Sequence, residues 1–365
     1  MLSWYVADFV TGDFVERVPF RTSSLQRTVG ARSSISVELD VKDRSVPPGW
    51  DQFIDPVRSL IVPVDDDTPL GGFVVEAGSN IGDPTTALTL VSLEAVPERF
   101  YCVEGTYYGD ETERTFTETD DEADVAAWLL AEAITGCGFE LSVTQTGKGG
   151  DHTYSYYEDR TVASALSDLA SQEQGVEWVT RVRWADQTHR RFIKSIEIGP
   201  RVGRDMAETV FRNKHLTQRV RNRSWSKLGI RVTATGDGVG DSRPMSKPVI
   251  DQAAIDAGVP PWQLRVPAPS IDDEAGLDRI AVAAAARYRN GTGSWELSLS
   301  QTDGRAPRIV SGFDVGDRVQ MSLDATEDDP ASWYGTARVI GWRATVVDHV
   351  ITEATPVMWD PEEDA

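Results

Sequence analysis

The sequence predicts a mainly β protein with an α+β middle region, two related small β-barrel-like domains embracing an α+β domain. Three observations predict it. Short runs with apolar residues at every second position fill the first hundred residues and return after residue 200. Two segments at helical spacing interrupt them in between. One strand–turn–strand pattern also occurs twice, once near each end of the chain.

Residues 1–98 read as the first barrel. Ser34-Ile35-Ser36-Val37-Glu38-Leu39-Asp40-Val41 puts alternate side chains on one face, as a half-buried strand requires. Leu60-Ile61-Val62, Gly72-Phe73-Val74-Val75 and Ala87-Leu88-Thr89-Leu90-Val91 follow, separated by Pro, Gly and Asp clusters. Residues 99–198 read as the α+β domain. Thr119-Asp120-Asp121-Glu122 matches a capping box, which starts a helix carrying Val125, Trp128 and Leu129 and ending near Gly136. A second helix starts at Thr161, carries Val162, Ala165, Leu166 and Leu169, and stops near Gly175. Trp178 to Trp184 and Phe192 to Ile198 then read as a strand and its hairpin partner. Residues 199–365 read as a second β domain containing the second barrel, with one inserted helix from Asp272 to Tyr288. The tail Asp360-Pro361-Glu362-Glu363-Asp364-Ala365 is expected to fray.

The repeat aligns Val57 to Gly78 with Arg318 to Gly341. Each copy reads as a strand, an acidic turn containing Pro, then a strand bounded by two glycines. The turns hold Asp65, Asp66 and Asp67 in the first copy and Glu327, Asp328 and Asp329 in the second.

Composition narrows the function. The chain has 365 residues, 58 acidic and 36 basic, for a net charge of −22. That balance argues against gripping nucleic acid over the whole surface, which needs clustered Lys and Arg. No apolar run is long enough for a membrane span and no signal peptide is recognisable, so a soluble protein made in a cytoplasm, without membrane insertion, is expected. Cys102 and Cys137 are then expected to be free thiols. His152, His189, His215 and His349 are scattered, with no metal-ligand spacing. Nucleophile-elbow, phosphate-loop and zinc-protease motifs are absent. Gly236-Asp237-Gly238-Val239-Gly240-Asp241 lacks the far ligand of a calcium loop and reads as a hairpin tip. The sequence therefore offers no catalytic residue, no cofactor site and no metal site.

Charge is unevenly spread. The stretch from Glu104 to Glu140 is strongly acidic, whereas Arg181 to Arg231 is basic. Bases alternating with apolar residues along strands favour meeting acidic protein over a nucleic-acid groove. Arg219, Arg221 and Arg223 are the candidate subunit-interface residues, with the 104–140 region of a neighbouring copy as their expected counterpart.

Thr161-Val162-Ala163-Ser164-Ala165-Leu166-Ser167-Asp168-Leu169-Ala170, then Gly175 and Glu177-Trp178, resembles the middle domain of the tail hub or baseplate hub proteins of long-tailed phages. Arg27-Thr28-Val29-Gly30 leading into the Ser34 strand, with Asp55-Pro56-Val57-Arg58, resembles the hub's first barrel. So does the late Phe313-Asp314-Val315-Gly316-Asp317-Arg318-Val319 segment. The resemblance implies a structural virion protein of the tail tip, a homotrimer closing the distal end of the tail tube around the DNA exit path. Its partners would be the distal tail or tail-tube protein, other tail-tip proteins and the tape measure protein, with DNA passing and not specifically bound. Three copies of two related barrels would present pseudo-six-fold symmetry to the tube, and acidic turns facing the lumen would repel phosphates. The family's hub role brings no catalytic residues, and no fused wall-degrading domain is expected. The alternative is a tail-associated protein that binds or degrades cell wall or carbohydrate, its 11 Trp and 9 Tyr supplying stacking faces.

Overall fold

A computed structural model describes residues 1–56, 58–79, 84–103, 115–155, 159–171, 175–236, 243–268, 273–289, 291–302, 304–325 and 332–359. The first sheet is built from β1 (Leu2–Asp8), β2 (Phe14–Arg17), β4 (Ser34–Asp40), β5 (Ser59–Asp65), β6 (Thr68–Pro69), β7 (Phe73–Ser79) and β8 (Thr85–Ser92). Its order is β2-β1-β5-β7-β8-β4, with β6 folded onto β5. An Arg21–Glu38 bridge carries the chain after β2 across to β4, so the two edges approach closure. The missing strand of this series, β3 (Ser24–Thr28), leaves the sheet altogether. A short helix, α1 (Trp50–Phe53), fills the excursion between β4 and β5.

β4 alternates exposed and buried residues as its sequence does. β5 differs, being buried on both faces. Ile61 points into one core with Trp4, Phe20 and Leu90, while Leu60, Val62 and Val64 point into another beneath the helices of the middle region. A strand covered on both sides reads as a continuous apolar run, as Leu60-Ile61-Val62 does.

The middle region holds β9 (Thr115–Asp121), α2 (Glu122–Ile134), β10 (Phe139–Val143), β11 (Gly149–Ser155), α3 (Val162–Ser171), β12 (Glu177–Trp184) and β13 (Phe192–Gly199). β12 and β13 form the expected hairpin, and β10 adds to it in parallel. One local expectation is corrected. Thr119 does not cap α2; it lies within β9, paired with Asp151 of β11. The cap is Asp121, whose carboxylate accepts the N–H of Ala123 at 2.9 Å and also those of Thr146 and Gly147. The Glu expected in the first turn of the box, Glu122, opens the helix instead.

The first sheet docks on this region through glycine. The β1–β2 turn passes so close to the α2–β10 link that a Cβ on Gly138 would stand 1.9 Å from the Val10 carbonyl oxygen, and Gly138 has φ +71°. Beside it the buried Lys194 ammonium donates to the carbonyls of Phe9 and Cys137 and lies over the Phe9 and Phe139 rings.

The second large sheet contains β14 (Asp205–Arg212), β15 (Leu216–Ser224), β19 (Thr292–Ser300), β20 (Arg318–Leu323), β21 (Trp333–Val347) and β22 (Val350–Trp359), in the order β14-β20-β21-β22-β19-β15. An insert between β15 and β19 carries β16 (Arg231–Thr235), β17 (Val249–Ile250), α4 (Gln252–Asp256), β18 (Gln263–Pro267) and α5 (Glu274–Tyr288). α5 matches the helix expected there, with Asp273 as its cap. Residues 237–241 of the glycine-rich loop, the 360–365 tail and much of the acidic 104–118 stretch lie outside the described residues.

The two large sheets repeat one topology. In the first, β4 is followed by an excursion and the meander β5-β7-β8, whose last strand returns to pair antiparallel with β4. In the second, β19 is followed by an excursion and the meander β20-β21-β22, whose last strand returns antiparallel to β19. β3 completes the second sheet and not its own, pairing Gln26 with Arg343 and Leu25 with Ala344 on β21. The inner faces of both sheets share one apolar core containing Trp4, Phe20, Trp295, Phe313 and Trp342.

Candidate functional site

The densest charged constellation sits where both sheets and the β12–β13 hairpin meet. Arg27, carried by β3 opposite Trp342, is 2% exposed and donates to Glu94 at 2.9 Å and to the Thr180 carbonyl at 2.6 Å. Thr180 returns its hydroxyl and its N–H to the same Glu94 carboxylate. Asp314 lies 3.8 Å from Arg27, receives Arg181 at 2.6 Å, and accepts the Trp342 indole N–H at 2.8 Å. Two cations and two carboxylates are thus removed from water together and matched, the condition under which buried charge is tolerated. Burial pushes both carboxyls up, but Arg27 together with the hydrogen bonds to Glu94, and with Arg181 and Trp342 at Asp314, outweighs it, so both are held below the usual carboxylate range.

Further ion pairs surround this joint. Arg338 of β21 pairs with Glu177 of β12, and Arg204 donates to the fully buried Asp317 at 2.6 Å. None of these groups is arranged as an acid–base or nucleophile pair. The joint fixes three parts of the fold against one another, and it went unseen in the sequence because its members are far apart along the chain.

The acidic turn at Asp65, Asp66 and Asp67 joins β5 to β6, with Asp66 in the left-handed region at φ +52°, which Asp tolerates. Asp66 receives Arg308, from the loop before β20, at 2.7 Å, and the terminal amine of Met1 at 2.6 Å. These two partners lower its pKa to about 2. The side chain of Asp67 is 88% exposed. Glu327, Asp328 and Asp329 lie outside the described residues. The described turn therefore clasps the first sheet to a loop of the second.

Arg219, Arg221 and Arg223 occupy alternate positions of β15, the terminal strand of its sheet. They stand opposite Leu297, Trp295 and Gly293 of β19, so they share the side of the sheet that carries buried Trp295 and Leu297. Arg221 lies 5.2 Å from the Trp295 ring, and Arg219 donates to the Asp324 carbonyl at 2.9 Å. Arg219 and Arg221 are half-buried and Arg223 is exposed; cations along an edge strand protect it from unspecific pairing.

The four histidines are not brought together. His152 is on β11, His189 stacks on Trp184 in the hairpin turn, His215 follows β14, and His349 lies in the β21–β22 turn. Among the described residues no three His, Cys, Asp or Glu side chains gather as a metal site requires, and no helix is long and apolar enough to cross a membrane.

The burial of one further carboxyl also escaped the sequence. Glu122 is 1% exposed, 3.6 Å from Arg279 of α5 in the insert. Burial raises its pKa to about 7, against the opposing pull of Arg279 and Lys148.

No family model matches this sequence, and no curated protein does. Solved structures do. The 43 kDa tail protein of prophage MuSo2 from Shewanella oneidensis superposes over 99% of this chain and 99% of its own, with a TM-score of 0.61 at 12% identity. The tail protein from Neisseria meningitidis MC58 covers 98% of this chain and 96% of its own, at TM-score 0.56 and 12% identity. Prophage tail protein gp18 from Listeria monocytogenes EGD-e covers 98% and 94%, at TM-score 0.53 and 12% identity. Two β sheets of repeated topology around an α+β region, matched from end to end, give this chain the fold of the phage tail proteins.

Proposed function

We propose that the chain is a structural component of a bacteriophage tail, a hub at the distal end of the tail tube through which the genome leaves. The observation that carries this reading is the duplicated meander, β4 with β5-β7-β8 and β19 with β20-β21-β22, in a chain matched over its whole length by tail proteins. Three copies supply six such sheets, which lets a trimer meet a six-fold tube. The division into 1–98, 99–198 and 199–365 belongs to this reading, with β3 lent by the first part to the third. The Asp65–Asp67 turn, presenting Asp67, lines the channel and keeps DNA phosphates from sticking. The partners are the tube protein, the tape measure protein and other tip proteins, and the site of action is the virion. No catalytic role is assigned.

Light scattering on the purified chain tests this. The mass should be three times 40.1 kDa, and particle images should show three-fold rings with an axial opening. A monomer at every concentration tested, or a closed particle without an opening, would overturn it. In the trimer, charge reversal at Arg219, Arg221 and Arg223 should weaken assembly; unchanged assembly with lost DNA affinity would transfer these residues to nucleic acid.

A further inference from the structure

The 225–291 insert leaves the second sheet from β15 and returns at β19, so it hangs from a terminal strand. Its own sheet, in the order β17-β16-β18, is covered on one face. There α5 packs Leu277, Ile280 and Ala281 against Ala234, Val249 and Val266. The other face carries Arg231 between Ile250 and Gln263, and Arg265 beside Thr233. Among the described residues, Thr233 of these five is half-buried and the other four are exposed, Ile250 at 45%, while Thr235 at the far end of the same side is buried. A single sheet with one uncovered face is half of a two-layer arrangement.

Both exposed tryptophans described in this chain stand at its margin. Trp225 is 61% exposed and Trp262 57%. They are held in place by backbone, since the Trp262 carbonyl accepts the N–H groups of Ile230 and Arg231, and the Trp225 carbonyl accepts that of Leu228. Beside Trp225 runs a groove of about 460 Å³ lined also by Ile230 and Val259 and crossed by the Asp251–Arg289 ion pair. Tryptophan and arginine are enriched among the residues that carry the binding energy of protein interfaces.

Charge selects the occupant. Lys227, Arg231, Arg265 and Arg289 are exposed on or around the face, on a chain whose total is 58 acids to 36 bases. The surface that complements this basic patch is therefore one the chain itself provides in excess. We infer that the open face of the insert, with Trp225 and Trp262 at its margin, docks on the acidic surface of a second copy of this chain. This rests on the ring reading given above.

Sedimentation equilibrium on the full chain tests it, comparing wild type with Trp225→Ala/Trp262→Ala and with Arg231→Glu/Arg265→Glu. Each double variant should melt as wild type does, because the altered side chains are exposed, and should weaken the trimer by about thirtyfold or more. The charge reversal should matter more at low salt than at high salt. If the tryptophan variant fails to fold, the arginine variant decides alone. A wild-type trimer with both variants equally tight would overturn this inference and leave the ring standing. A monomeric wild type would overturn both. Variants that trimerise normally but lose binding to another tail protein, or to a single-stranded oligonucleotide, would assign the face to that partner and overturn the second-copy reading.

Discussion

Replacing Arg27 by Met removes the cation that Glu94 and Asp314 share while keeping the length of the side chain. Glu94 is 1% exposed and would keep the Thr180 hydroxyl and N–H but no cation at hydrogen-bond distance. Asp314 would keep Arg181 and Trp342. Breaking one partner of a buried pair costs about 3–5 kcal/mol, because the remaining charge stays desolvated. With an unfolding entropy of roughly 2.1 cal/mol/K per residue, a chain of this length changes by about 0.8 kcal/mol/K, so Tm should fall by about 4–6 °C. Calorimetry at neutral pH reads this directly. Arg27→Met/Glu94→Leu should recover much of the loss, since an apolar pair of matching volume replaces an ionic one at little cost. The pH dependence has a definite sign. Both carboxyls are depressed in the folded state, so their contribution is present above the ordinary carboxylate range and is lost as pH falls through their folded values. The gap between wild type and Arg27→Met should therefore close in acid. A Tm drop below about 1 °C, or a double variant as unstable as the two single losses added, would refute the reasoning.

Three further outcomes follow from other sites. Glu122 binds its proton in the folded chain up to about pH 7, whereas its ordinary value is 4.5, so wild type loses stability as pH rises through that window. Glu122→Gln should gain on wild type across it by about 1–2 kcal/mol in urea titrations, and a gap independent of pH would remove the burial explanation. Gly138→Ala should lower Tm by several degrees, because its Cβ has no room beside Val10 and φ is positive; an unchanged melt would mean the β1–β2 turn moves aside easily. Cys102 and Cys137 should both titrate as free thiols in denaturant without reductant, and a linked pair in non-reducing mass spectrometry would contradict this.

Much of the fold was legible because local pattern and tertiary role agree. β4, α3, α5 and the β12–β13 hairpin each bury the residues their spacing points inward. The repeated hairpin likewise marks a repeated topology. What was illegible depends on partners distant in sequence. Nothing near Arg27 shows that it meets Glu94 and Thr180, and nothing in Ser24–Thr28 shows that it serves the other sheet. The Thr119 motif misled because its residues satisfy the same amides two positions later, where Asp121 does the capping and β9 claims Thr119. Trp225 and Trp262 look like core residues by type, and only their exposure shows otherwise.

The loan of β3 to β21 has a consequence in time. During synthesis the segment Ser24–Thr28 emerges early, but the strand it must pair with arrives more than three hundred residues later. At about 5–20 residues per second, that is a wait of roughly 15 s to a minute with a strand edge unmatched. The N-terminal sheet can close without it, but the C-terminal sheet cannot be finished by its own residues. The second sheet is therefore completed only late, once β21 has been made and β3 can pair with it. Completion of the second sheet thus depends on segments from near both ends of the described chain.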